Sequence, residues 1–416
     1  MGSKTITMLG KAWFGDEKVI VDFPDTWDVV LKAMPGHDRP ALTDQQIGEA
    51  LQKPIGTPTI TELAKGKKQV VILFDDLTRP TPASRIVPHV IQALREGGIE
   101  DNNIRFMCAQ ANHRAMTRED FAKKLGHDIP TRFRVYNHNP FQNFVDLGRS
   151  SRGTPVKINR EVMNCDLKIG IGSLIPHPTA GFGGGAKMIL PGVASLETVQ
   201  YNHLTIGRPG GKKNPTTGQG KIDGNEVRLD MEEVARMAGL DFKIDVTING
   251  QRDISALFCG DFVKEHRAGC ELAKQLYITQ PEKECDIVVS NCYPDDGQVN
   301  KGVWPAAASL KAEGGSAVVY ANAVEGECIH YHGGRWGDDY GGPAWTPDRM
   351  RNLPNARRII YWSEVPTCTL QEALGTREQV IVRETWAQVL LELMAAHGKT
   401  AKVAVYPNVS LQCAPL

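Results

Sequence analysis

Short apolar runs bounded by turn residues recur along this chain, and between them the apolar positions fall three and four residues apart. Residues 69–74 are almost continuously apolar, the signature of a strand covered on both faces. After Asp75-Asp76-Leu77-Thr78-Arg79-Pro80, Thr81 is expected to cap a helix with Pro82 at its first position. Ile86, Val87, Val90, Ile91 and Leu94 give that helix its apolar stripe, and Gly97-Gly98 stops it. The alternation continues with a strand at 104–109, a capping box Thr117-x-x-Asp120, and a strand at 133–136. Short strands at 145–147 and 156–158 follow, then a helical link at 159–165 and a buried strand at 167–171. A helix opening at Ser195 carries His203 near its end, and helix, strand and helix follow at 225–238, 242–249 and 262–277. A hairpin is expected near 5–9 and 18–23, and helices near 43 and at 60–64. Beyond a polar stretch at 279–284 come strands at 286–291, 317–321, 358–362 and 403–406, with helices at 305–312 and 386–397.

The pattern predicts an α/β protein of two domains with mainly parallel sheets. The chain divides into residues 1–279 and 280–416, the last residues being free to pack back on the first domain. At 416 residues the length also suits two cores rather than one. Lys+Arg and Asp+Glu both number 48, so no net charge favours nucleic acid or an anionic membrane surface. No apolar run approaches the roughly 20 residues of a membrane span, and the N-terminus lacks an apolar signal core. Nine cysteines without a Cys-x-x-Cys pair fit reduced thiols and a cytoplasmic location.

The candidate chemistry gathers after three strands: Asp76 and Arg79, then Asn112-His113-Arg114, then the stretch from Gly170 to Gly192. In open α/β sheets these carboxyl ends line the ligand crevice. Arg79 offers a planar fork for a carboxylate or phosphate, and Asp76 could hold Arg79 or bind a sugar hydroxyl. His113 and His177 lie among turn residues, where two imidazoles could act as paired acid and base. Gly183, Gly184 and Gly185 let the backbone come close to a partner, and Lys187 just beyond suggests an anion or an electrophile. This segment has no Gly-Lys-Ser/Thr, so it is not a Walker loop. No cluster has metal-ligand spacing. Residues 330–345 lack periodicity and read as a long aromatic- and glycine-rich loop, the usual place for lids and binding loops.

Asp76-Leu77-Thr78-Arg79-Pro80, Asn112-His113-Arg114, Pro176-His177-x-x-Ala180-Gly181-x-x-Gly184-Gly185-x-Lys187-x-x-Leu190-Pro191-Gly192 and Asn202-His203 occur in this order. Together they resemble the nickel-pincer-nucleotide-dependent lactate racemase family, most densely over residues 75–203. The resemblance implies a cofactor tethered covalently through Lys187, with His203 supplying a nickel ligand and Gly183, Gly184, Gly185 and Asp76 nearby. It implies acid/base roles for His113 and His177, and a substrate-carboxylate contact for Arg79 with Asp76 beside it. The implied chemistry is reversible hydride transfer at C2 of a 2-hydroxy acid. The cofactor and catalytic groups would come from the first domain and substrate selectivity from the second, with the active site in the cleft between them. Separate cofactor-synthesis enzymes would be needed for maturation.

The chain departs from the family where lactate racemases carry a Tyr-Gln-x-x-Lys cluster. Asn300, Lys301 and Trp304 fall at those positions, and Gly183 replaces a common serine. The expected substrate is therefore a 2-hydroxy acid other than lactate, larger or polyhydroxylated, with Lys301 offered to a carboxylate and Trp304 to a sugar-like or aromatic tail. Two rival readings stand beside this one. The first is a nickel-free epimerase or oxidoreductase using NAD in the same site, although no Gly-x-Gly-x-x-Gly follows an early strand. The second is a non-enzymatic protein binding a sugar acid or phosphate, which would not need both histidines.

Overall fold

Ser3–Gly10 (β1) and Glu17–Pro24 (β2) pair antiparallel, and Asp28–Leu31 (β3) follows. The computed structural model describes residues 3–331, 353 and 355–415. Of the loop expected at 330–345, only His330 and Tyr331 belong to these; the remainder lies outside the described residues. The chain separates into two compact units. One is built from Asp38–Gln275 with a short return beginning at Ile329, and the other from the stretch through His37, Leu276–Cys328 and the C-terminal residues through Pro415.

In the unit around Asp38–Gln275 the strands are Val70–Phe74 (β4), Ile104–Cys108 (β5) and Arg134–Asn137 (β6), then an antiparallel pair apart from the main sheet, Phe144–Arg149 (β7) and Pro155–Asn159 (β8). Leu167–Ser173 (β9) is followed by two short paired segments, Pro176–His177 (β10) and Gly181–Phe182 (β11). Phe242–Ile248 (β12) and Ile254–Gly260 (β13) complete the set. The main sheet runs β13-β12-β9-β4-β5-β6 and is parallel except for β13, which pairs antiparallel with β12. Every residue of β4, β9 and β12 is buried, as strands sandwiched between two layers require. The strand order steps outward from β4 to β5 and β6, then returns to place β9 on β4's other side. This reversal creates a switch point between the carboxyl ends of β4 and β9, where an open sheet leaves a crevice.

The other unit holds Ile287–Asn291 (β14), Gly315–Tyr320 (β15), Ala356–Trp362 (β16), Val380–Arg383 (β17) and Lys402–Tyr406 (β18). Its sheet runs β17-β16-β15-β14-β18-β3, all parallel. Both sheets are thus mainly parallel and helix-covered, the α/β class expected from the sequence.

Three details differ from the linear reading. β3 joins β18 in register Val29↔Val403, so residues 3–37 belong to the C-terminal unit rather than to that of residues 38–275. A strand lacking a partner in its own stretch takes the nearest open edge, and sequence order does not determine which edge that is. The last residues stay in that same unit, where Cys413 bridges to Ile278. Thr81 does not cap a helix: its hydroxyl bridges Asp75 Oδ2 and Ser173 Oγ, at 2.5 and 2.8 Å, and a single 3₁₀ turn at Ala83–Arg85 precedes the helix Val87–Glu96. The apolar stripe of that helix is buried as predicted.

Candidate active site

The loop after β4 is short and polar, so its backbone groups need partners close by. Asp76 Oδ1 accepts from the Thr78 N–H at 3.1 Å and from the Thr78 hydroxyl, an Asx turn that bends the chain at once after the strand. Lys124, fully buried on the helix Arg118–Leu125, reaches the carbonyls of Asp76 and Arg79 at 3.0 and 2.7 Å and the carboxylate of Asp75 at 2.6 Å. The capping box at Thr117 starts that helix as predicted. Arg79 Nη1 donates to the carbonyl and hydroxyl of Thr78, both at 3.0 Å.

The second oxygen of Asp76 meets His113 Nδ1 at 2.7 Å, across from the loop after β5. A carboxylate there holds the imidazole proton on Nδ1 and leaves the Nε2 lone pair as a base. Burial alone would raise the Asp76 carboxyl, but His113, Arg79 and Thr78 together hold it well below the ordinary carboxylate range.

The third element is the turn between β10 and β11. The N–H groups of Thr179 and Ala180 point at His177 Nδ1 at 3.2 and 3.1 Å. Two backbone donors on Nδ1 hold the ring from its own turn, as the Asp76 carboxylate holds His113 from the neighbouring loop. Lys187, on the 3₁₀ turn Gly185–Met188, brings Nζ to 3.3 Å from His177 Nε2 while only 7 % exposed. Because β4, β5 and β9 are neighbouring parallel strands, Asp76, His113 and His177 all follow the same edge of the sheet. Thr81 and Ser173 tie the β4 and β9 ends together.

The glycine trio does come close to a partner, but the partner is protein. Gly184 has φ +70°, and a Cβ there would strike the Asp245 carboxylate; one on Gly185, φ +57°, would lie 2.9 Å from the His266 ring. Asp245 accepts the Gly185 N–H at 2.6 Å, and the Gly183 carbonyl lies 2.9 Å from His266 Nε2. Arg228, with no exposed surface, spreads its fork over the carbonyls of Ala180, Phe182 and Gly184. Arg228, Asp245 and His266 therefore fix the backbone that carries His177 and Lys187. Sequence reasoning passed over them. The available signal was Lys243, Asp245 and Thr247, polar residues alternating through a strand that is otherwise apolar and wholly buried.

Within this cluster Asp245 is ionised, held down by Lys243 2.5 Å away, while burial and the Asp245 charge push the Glu265 carboxyl well above its ordinary value. The raised carboxyl favours the protonated form of Glu265, which can donate to Asp245. A carboxyl with a raised folded value stabilises the fold at low pH, and that contribution is lost as pH rises from 4.5 towards the folded value. Glu265→Gln, which donates at every pH, should therefore lose stability less steeply than wild type as pH rises. Thermal melts between pH 5 and 9 that decline in parallel for both proteins would contradict this.

His203 lies on a π-helical turn, Tyr201–Ile206, which continues the helix Leu196–Gln200. Asn202 anchors that turn through the Val227 carbonyl at 3.2 Å and Asp230 at 2.8 Å. Single π turns inside helices are rare and frequent at functional sites.

The remaining predicted residues follow β14, at the carboxyl edge of the other unit's sheet. Lys301 pairs with buried Asp295, so its charge is balanced within the protein. Trp304 packs against the core, its ring 5.6 Å from that of Tyr406, and its indole N–H and the Asn300 side-chain oxygen are buried without a hydrogen-bond partner among the described residues. Asp296, which the sequence did not single out, is buried beside them with its carboxyl pushed up to about 7, and accepts from the Ala12 N–H at 3.3 Å.

Open α/β sheets that collect titratable groups at a switch point are the scaffolds of small-molecule enzymes. Comparison with known proteins gives the kind. The lactate racemase N-terminal domain family matches residues 14–213. A lactate racemase of Lactiplantibacillus plantarum is 30% identical over 88% of this chain and 90% of its own length. One from Thermoanaerobacterium thermosaccharolyticum is 31% identical over 78% and 76%. The chain belongs to the lactate racemase family and is an isomerase of the racemase kind. The fold agrees: a lactate racemase apoprotein structure from T. thermosaccharolyticum superposes with TM-score 0.74 at 23% identity, covering 99% of this chain and all of its own. A Thermotoga maritima protein superposes with TM-score 0.66 at 19% identity, covering 93% of this chain and all of its own. Among the described residues no helix is long and apolar enough to cross a membrane.

Proposed function

We propose that this racemase inverts C2 of a 2-hydroxy acid larger or more hydroxylated than lactate, using a nickel-pincer nucleotide held by Lys187 and His203. The observation that carries the reading is the pair of anchored imidazoles, His113 on Asp76 and His177 on its own turn, beside a buried amine. The donor set fits the group: a buried amine suits a covalent acyl-type tether, and an imidazole on a π turn suits nickel. When bound, the group supplies a hydride acceptor for the substrate Cα. His113, held as a base by Asp76, takes the hydroxyl proton, and His177 serves the opposite enantiomer. Arg79 binds the carboxylate with its planar fork. Substrate choice follows from residues after β14, where Asn300, Lys301 and Trp304 stand in place of the lactate-binding cluster described for the family.

The test is intact-protein mass spectrometry with nickel analysis on protein co-produced with cofactor-synthesis enzymes, followed by a chiral-chromatography screen of 2-hydroxy acids. Wild type should carry a nucleotide-sized adduct and stoichiometric nickel, and Lys187→Ala neither. Lys187→Ala protein that still turned over with added NAD would replace the nickel reading with the dinucleotide one.

A further inference from the structure

The segment from Ile329 to Tyr331 lies more than two hundred residues beyond the His113 loop in sequence, yet it is docked on that loop and on the loop after β6. The Tyr331 N–H donates to the Asn112 carbonyl at 3.2 Å. The Tyr331 ring meets Phe141 with centroids 5.5 Å apart. The His330 ring lies 4.6 Å from the His113 ring, with the two planes at 72°. The segment belongs to the same compact unit as His113.

We propose that His330 is a positioning residue for His113. Asp76 Oδ2 at 2.7 Å and the Thr78 hydroxyl at 3.4 Å both meet the imidazole of His113 at one atom, Nδ1. Contacts at one atom leave the ring free to swing about it, and a swing moves Nε2, the atom that must meet the substrate proton. An aromatic ring packed edge-to-face removes that freedom, because rotation of either ring brings the two into collision. Two constraints, one polar and one steric, then aim Nε2, and a general base misplaced by about 1 Å can lose on the order of 10²-fold in rate. The positioning role needs the flat aromatic volume of residue 330, although a His330 nitrogen also lies within 4.8 Å of a His113 nitrogen, and the His330→Phe variant separates the two.

The inference rests on the racemase reading for its kinetic consequence but not for the contact itself, so the test has two arms. In apoprotein with labelled histidine, the His113 ring resonances should move in His330→Ala, through loss of the neighbouring ring current, and stay near wild type in His330→Phe. In holoenzyme, His330→Ala should lower kcat by about 10-fold or more with KM little changed, and His330→Phe should recover most of it. Unmoved His113 resonances in His330→Ala would overturn the proposal, as would equal kinetic damage from Ala and Phe, which would mean the His330 nitrogens act directly. A wild-type holoenzyme inactive on every 2-hydroxy acid, with the resonance shift present, would sink the racemase reading while supporting the positioning contact. Melting midpoints of both variants separate loss of aim from loss of fold.

Discussion

Asp76→Asn should lower kcat for racemisation by about 10²–10⁴-fold while leaving the fold intact. The two oxygens of Asp76 are not equivalent. Oδ1 receives two donors, the N–H and the hydroxyl of Thr78, and Oδ2 faces His113 Nδ1. An asparagine must therefore put its carbonyl oxygen at the Thr78 end and its NH₂ towards His113. That forces Nδ1 to accept, moves the ring proton to Nε2, and leaves His113 with no lone pair for the substrate. Substrate affinity should change little, because Arg79 keeps its contacts with Thr78. Steady-state kinetics on holoenzyme and a nitrogen-shift measurement of the His113 tautomer would check this. An Asn variant within about threefold of wild type would remove Asp76 from the catalytic arrangement.

Arg228→Met should destabilise the protein by about 3–5 kcal/mol, a melting-point drop on the order of 10 °C. Methionine roughly fills the space of the stem, but the carbonyls of Ala180, Phe182 and Gly184 then lose their donor in a place water does not reach. Arg228→Lys should recover only part of the loss, because an ammonium cannot span carbonyls that a planar fork covers. The effect should also reach Lys187, whose turn begins at Gly185: adduct yield by intact mass should fall at temperatures where the variant is still folded. Calorimetry showing a shift of less than about 2 °C would mean that the glycine turn holds its shape without the clamp.

The sequence made the strands of the Asp38–Gln275 unit and its Thr117 cap visible, because they depend on neighbours in the chain, while Thr81 was taken from its expected cap by Asp75 and Ser173. The apolar run before Asp75, the capping box at Thr117 and the stripe from Ile86 to Leu94 were all read correctly. The ends of those strands also pointed to the candidate site, since a parallel sheet places them on one edge. Side-chain pairing was not legible. Nothing in the sequence says that Asp76 turns to His113 rather than to Arg79, or that the glycine trio packs on Asp245 and His266, because each partner arrives from another strand or helix. Trp304 shows the same limit: its place after β14 was legible, its edge contact with the Tyr406 ring was not. His138 shows the reverse case. It lies buried with its ring nitrogens on Asn159 and the Ala194 carbonyl and its pKa lowered to about 4 by burial, a structural imidazole among candidate catalytic ones.

The union of β3 with β18 sets an order of events during synthesis. The stretch Asp38–Gln275 contains all the strands of its own sheet and can close as soon as it has left the ribosome. The hairpin β1–β2 and β3 emerge earlier, but the strand that β3 pairs with is made only after the whole of Asp38–Gln275. Until then the N-terminal strands carry open edges, the hazard that invites pairing with another nascent chain. Slow synthesis or loss of β18 therefore harms β3 and the hairpin before it as much as the strands around β18, and a yield problem in this protein is best sought by following residues 3–37.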